Sequence, residues 1–146
     1  MDLPDWVWAR HANPKSGWSR VALLPLFAYG LYRRDPRVLA AAVVWTVVNP
    51  VAFPPPEDAE AWMTRGVLAE RAWLAADNRT VGLGWPNVLN LVSGAGSAYL
   101  VWAALRRRPG HTVLATFVVA GAKLRWIDEI VELTDTTPDS ELPTAD

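Results

Sequence analysis

The chain has 146 residues, enough for one core, with 51% apolar and 20% charged residues and a formal net charge of −1. That balance offers no basic stripe for nucleic acid, and a chain without cysteine has no disulfide, thiolate metal site or cysteine nucleophile. Nine tryptophans in a chain of mean hydropathy only +0.09 point to a membrane–water interface, where an indole is apolar on its face and wet at its N–H.

Residues 1–20 carry Arg10, Lys15 and Arg20 without an apolar run, so they do not form a signal-peptide core. The first apolar run predicts a membrane span over about 18–33, with Pro25 able to kink its first turns. Arg33, Arg34, Asp35, Pro36 and Arg37 then form a tight basic turn. A second span is expected over about 38–53, closing on Asn49 and Pro50. Pro54, Pro55 and Pro56 stop it, and Glu57 and Asp58 suit the start of a third helix over about 57–76. Residues 77–84 read as a loop. Pro86 opens the third span, 86–105, in which Asn90, Ser93, Gly94, Ser97 and Val101 form a small-residue stripe expected to pack against another helix. Arg106, Arg107 and Arg108 make a second basic turn, a fourth span covers about 111–130, and residues 134–146 are expected to be a disordered tail.

The helix over 57–76 is amphipathic. At 100° per residue, Trp62, Met63, Gly66, Val67, Ala69, Glu70, Trp73 and Leu74 share one arc, and Thr64, Arg65, Leu68, Arg71 and Ala72 fall opposite. Glu70 is thus a lone charge on an apolar face. Lys123 repeats the pattern on the fourth span, sharing its arc with Thr116, Val119, Ile127 and Ile130. An unpaired charge facing hydrocarbon costs ~2.5–3.5 kcal/mol, so the two are expected to find each other.

These elements predict an all-α fold: an integral membrane four-helix bundle of two helical hairpins joined by an amphipathic interfacial helix, within one transmembrane domain of residues 1–133. Each apolar run falls short of the ~20 residues that cross a ~30 Å hydrocarbon core. The runs are nevertheless apolar on all sides, which a soluble bundle of this size does not allow. Arginines concentrated in two short turns place those turns in the cytoplasm and both termini outside, in a multi-pass protein of the cell membrane. His11, Asn13, Asn49, Glu70, Asn87, Asn90, Lys123 and Asp128 then gather near the outer face. His11 and His111 fall on opposite faces, so they cannot share a metal, and no metal or cofactor is expected.

Five short elements carry a family resemblance: R-H-A-N-P from Arg10, N-P-x-x-F-P from Asn49, E-R-x-W from Glu70, P-N-x-x-N from Pro86 and K-L-x-W-x-D from Lys123. Together they resemble an uncharacterised family of small prokaryotic four-span membrane proteins. Ala69 stands where that family has glycine, and Lys15 where it has tryptophan. The resemblance implies a topology and a choice of residues but no activity.

Two functions follow as expectations. In the first, a pocket at the outer face binds a small hydrophobic molecule, or acts on it by acid–base chemistry. Glu70, Lys123 and His11 would be the catalytic groups, with Asn13, Asn49, Trp62, Trp73, Asn87, Asn90 and Asp128 lining the ligand. In the second, the chain is a non-catalytic accessory or scaffold subunit whose partner is another membrane protein or a further copy of itself. Nucleic acid is not an expected partner; the lipid bilayer is.

Overall fold

In the computed structural model, residues 4–75 and 85–136 are described, and they are helical throughout apart from turns and connectors. The expected loop over 77–84 and tail residues 137–146 lie outside these.

A short helix that the apolar pattern had not indicated, α1 (Asp5–His11), carries Asp5 in its first turn, where a carboxylate favours the helix dipole. Ala12 closes it, and Asn13 caps α2 (Pro14–Arg33) by accepting from the Lys15 amide at 2.9 Å, with Pro14 at the first helical position. The first long helix therefore begins four residues before its apolar run suggests. Arg34, left-handed at φ 55°, ends α2, and the amides of Arg34 and Asp35 return to the Leu31 and Gly30 carbonyls. Asp35 caps α3 (Pro36–Ala52).

The next helix begins later than the acidic pair Glu57–Asp58 suggests. It is α4 (Trp62–Ala75). Three consecutive prolines bias the chain away from helix, and Asp58 accepts from the Glu60 amide at 3.0 Å, a local turn that competes with a helical start. α5 (Asn87–Leu105) and α6 (Pro109–Thr136) form the second hairpin. With 28 residues, α6 is ~42 Å long, and its last turns reach past the bundle onto α4. Residues 134–136 are helical rather than tail, held over the buried Ile130 and Val131.

One hairpin, α2–α3, packs beside the other, α5–α6, and α4 lies across α2 and the C-terminal half of α6. The core is small. Ala69, Trp126, Ile130 and Val131 form one cluster, and Ala28, Leu100 and Ala115 another. The expected packing stripe of α5 is displaced: Gly94 is exposed with open space where a Cβ would stand, whereas Leu100 is 3% exposed in the core. The contact face runs instead through Gly96, Leu100, Ala103 and Ala104, a 3–4 residue repeat in which one large side chain sits among small ones. On α4, Thr64 is buried, not outward, and Leu74 is exposed.

The outward faces are strongly apolar. Val43, Val44 and Val47 on α3, Val101 and Trp102 on α5, and Val113, Leu114 and Phe117 on α6 are all exposed. One described helix, α5, is long and apolar enough to cross a membrane, and only 17% of its apolar window is buried; α3 is apolar but shorter.

Candidate functional site

The site grows from the end of α3. Carbonyls of Pro50, Val51 and Ala52 would be answered four residues on by the amides of residues 54–56, which are prolines and have none. Arg10 fills the gap: its Nε and one terminal nitrogen donate to the Val51 carbonyl at 3.0 and 2.8 Å. Asn13 Nδ2 donates to the Pro54 carbonyl at 3.0 Å. The R-H-A-N-P run is thus a clasp that fixes α1 and the start of α2 against the end of α3.

Two residues before Val51, Asn49 is fully buried where α3 meets α2. Its Oδ1 accepts from Ser16 Oγ at 2.7 Å, and its Nδ2 donates to Ser19 Oγ at 2.7 Å. Ser16 also meets His11 Nδ1 at 2.9 Å, while Arg20 lies 2.6 Å from His11 Nε2. A guanidinium only donates, so Nε2 is the acceptor and Nδ1 carries the proton. The direction is then set: Arg20 to His11, His11 to Ser16, Ser16 to Asn49. Burial, and then the charge of Arg20, lower the His11 pKa from 6.5 to about 4 against an opposing pull from Glu70, so the imidazole is neutral near pH 7.

From the other side, α4 approaches α6 closely at Gly66, where an added Cβ would stand 2.5 Å from Ile127 Cγ2. That proximity brings Glu70 Oε1 to 3.3 Å from Lys123 Nζ, and the ammonium also sits 3.8 Å from the centroid of the Trp126 ring. Trp62 Nε1 donates to Asp128 Oδ1 at 3.2 Å, a second tie between the same helices. Asp128 and Glu129 both pair with Arg125 on the outer surface of α6.

These groups border a cavity of about 270 Å3 between α2, α4, α5 and α6. His11, Arg20, Glu70, Lys123 and Ser93 supply its polar wall; Val21, Leu24, Met63, Val67, Val119 and Ile127 supply most of the rest. Of the expected site residues, Glu70, Lys123 and His11 come together there. Asn13 and Asn49 hold helices together behind the wall, Asp128 and Trp62 pair with each other, and Trp73 packs on the Trp126 cluster; none of these five lines the cavity. Asn87 and Asn90, at the start of α5, are half-buried and outside the lining as well. Arg20 and Ser16 carry no site signal of their own in the sequence, and Ser93 carries only a packing one. Arg20 could have been found from its spacing to Ser16 and Gly17, one turn apart on the face of α2 that meets α4.

Thr64 Oγ1, Trp73 Nε1, Asn87 Oδ1 and Trp126 Nε1 are buried without a hydrogen-bond partner among the described residues. Among the described residues no three His or carboxylate groups lie close enough to hold a metal ion. No curated protein and no solved structure matches the chain. A family model does match, over residues 2–145, and the chain belongs to that family of unknown function, DUF6653.

Proposed function

We propose that the chain is a four-span membrane protein whose cavity between α2, α4, α5 and α6 binds a small amphipathic molecule with an acidic head. The membrane reading is supported by the exposed valines, leucines and aromatics on α3, α5 and α6, which would form a large apolar patch in water. It is supported too by the low burial of α5, since the core helix of a soluble protein would be mostly covered. In this reading the two arginine turns face the cytoplasm and the cavity lies near the outer side.

The observation that carries the binding reading is the composition of the cavity wall. Arg20 and Lys123 supply two cations, Glu70 one carboxylate, and His11 is neutral near pH 7, leaving one positive charge above a mostly apolar lining. An acidic head would displace or share Lys123 from Glu70 and meet Arg20, while its hydrocarbon body lies among Val21, Leu24, Val67 and Val119. At about 270 Å3 the cavity lies just below the ~300–1,000 Å3 of typical ligand sites, which fits a compact ligand. If the site also turns its ligand over, Glu70 is the base on the wall. His11 then acts as a positioning residue, because its Nε2 lone pair is occupied by Arg20. The accessory-subunit reading is favoured by a different observation, the exposed Gly94 with open space before it on α5.

Mass spectrometry of small molecules released from the purified, detergent-solubilised protein tests the binding reading. The wild type should release an acidic amphiphile that Arg20→Met and Lys123→Met, both still folded, do not retain. An identical set of released molecules from all three proteins would contradict it.

A further inference from the structure

A second cavity, of about 660 Å3, runs between α2 and α6 and shares only Val21 and Ala120 with the first. We propose that it holds one acyl chain of an anionic glycerophospholipid of the cytoplasmic leaflet, with the lipid phosphate bound by Arg33 and Arg107. The inference rests on the membrane reading above but not on the ligand of the Glu70 cavity.

The shape comes from residue size. Ala28 and Thr112 are buried and small, and Thr116 and Ala120 are half-buried, so the two helices leave a trough between them. Trp18, Tyr29 and Phe117 are exposed along it and stand as its rim. The lining is almost wholly apolar, which suits hydrocarbon and not a polar solute. The trough extends along α6 from Pro109 to Ala120, a rise of ~16 Å, and along α2 from Trp18 to Tyr32, a rise of ~21 Å, so it starts at the basic turns and reaches past the ~15 Å depth of one leaflet of a ~30 Å core.

The head of the occupant follows from what lies at the trough's basic end. Tyr32 lines both the trough and a separate polar recess of about 280 Å3 formed with Arg33 and Arg107. Of the other arginines in the two turns, Arg34 donates to the Leu105 carbonyl at 3.2 Å, Arg108 lies 5.0 Å from the centroid of the Trp102 ring, and Arg37 and Arg106 do not line the recess. Among the described residues, the guanidinium groups of Arg33 and Arg107 have no hydrogen-bond or ion-pair partner. Two unpaired, exposed cations at the mouth of a hydrocarbon trough match a phosphodiester carrying an acyl chain. The N-terminal turn of α6, beginning at Pro109 on the trough itself, adds partial positive charge.

The test uses full-length protein, delipidated in detergent and titrated with phosphatidylglycerol, phosphatidylcholine or inorganic phosphate, with bound lipid counted by native mass spectrometry. One phosphatidylglycerol should bind at least about tenfold more tightly than phosphatidylcholine, whose phosphate carries the same charge but whose choline cation is repelled by the two guanidinium groups. In the double variant Arg33→Gln, Arg107→Gln the two lipids should bind alike, and Thr116→Phe, which fills the trough, should weaken both. Inorganic phosphate should not compete. Equal binding of the two lipids by the wild type, or competition by phosphate alone, overturns the lipid site. Recovery of the protein in the soluble fraction without detergent overturns the membrane reading and this inference with it, so the two failures are distinguishable.

Discussion

Removing either member of the Glu70–Lys123 pair tests both the packing of α4 on α6 and the character of the cavity. The nitrogen–oxygen distance is 3.3 Å, and the side chains are 40% and 27% exposed for Lys123 and Glu70. Fully exposed pairs contribute ~0–1 kcal/mol, and breaking a fully buried pair costs ~3–5 kcal/mol. At this intermediate exposure a coupling of ~1–2 kcal/mol is expected, because each group keeps access to water that enters the cavity. Lys123→Met also loses the ammonium over Trp126, worth a further ~0.5–1 kcal/mol, so it should be the more damaging single change. Glu70→Gln keeps the shape and leaves an amide oxygen that accepts from Lys123. Unfolding in detergent, followed for the wild type, both single variants and Glu70→Gln/Lys123→Met, gives the coupling directly. A coupling near zero would mean the groups do not meet, and one above ~4 kcal/mol would mean the site is closed to water.

Other expectations follow from the same contacts. His11 has a folded pKa of about 4 against 6.5 when unfolded, so the unfolded chain binds the proton first as the pH falls. Its contribution should be present above pH 6.5 and lost progressively towards pH 4, by up to ~3 kcal/mol, and His11→Gln should flatten that part of the profile measured by thermal unfolding. Leu100→Ala opens a hole in the core beside Ala28 and Ala115 and should cost ~2–5 kcal/mol, whereas Gly94→Leu projects into open space and should be neutral or slightly stabilising. Arg10→Met strips the Val51 carbonyl of its donor and should cost ~1–3 kcal/mol, measurable as a lower unfolding temperature.

What the sequence discloses depends on how local each signal is. Helix content and the two hairpin turns are legible because prolines, Asp35 and the arginine runs act within a few residues. The proximity of Glu70 and Lys123 is legible because an isolated charge on an apolar arc needs a partner. Neither the α5 contact face nor Thr64 is legible in the same way. A wheel orders the residues of one helix, but the angle at which it meets its neighbour is set by residues elsewhere, here Val119 against Gly96 and Ala28 with Ala115 against Leu100. The asparagines illustrate a second reason. Asn13 and Asn49 are polar residues near helix ends, which suits a cap as well as a ligand, and the choice turns on distant partners such as Pro54 and Ser19. In the sequence Arg20 is one more basic residue of the N-terminal segment, and only the fold of α1 onto α2 places His11 against it.

The proposed membrane placement, with the Glu70 cavity towards the outside, is directly measurable because the chain has no cysteine. Single cysteines replace Glu60, exposed in the connector before α4, and Arg107, exposed in the turn between α5 and α6. An impermeant thiol reagent applied to intact cells should label the first and leave the second unlabelled until the membrane is permeabilised. Labelling of Arg107→Cys but not Glu60→Cys in intact cells would invert the protein, and protection of both until lysis would remove it from the membrane-spanning class.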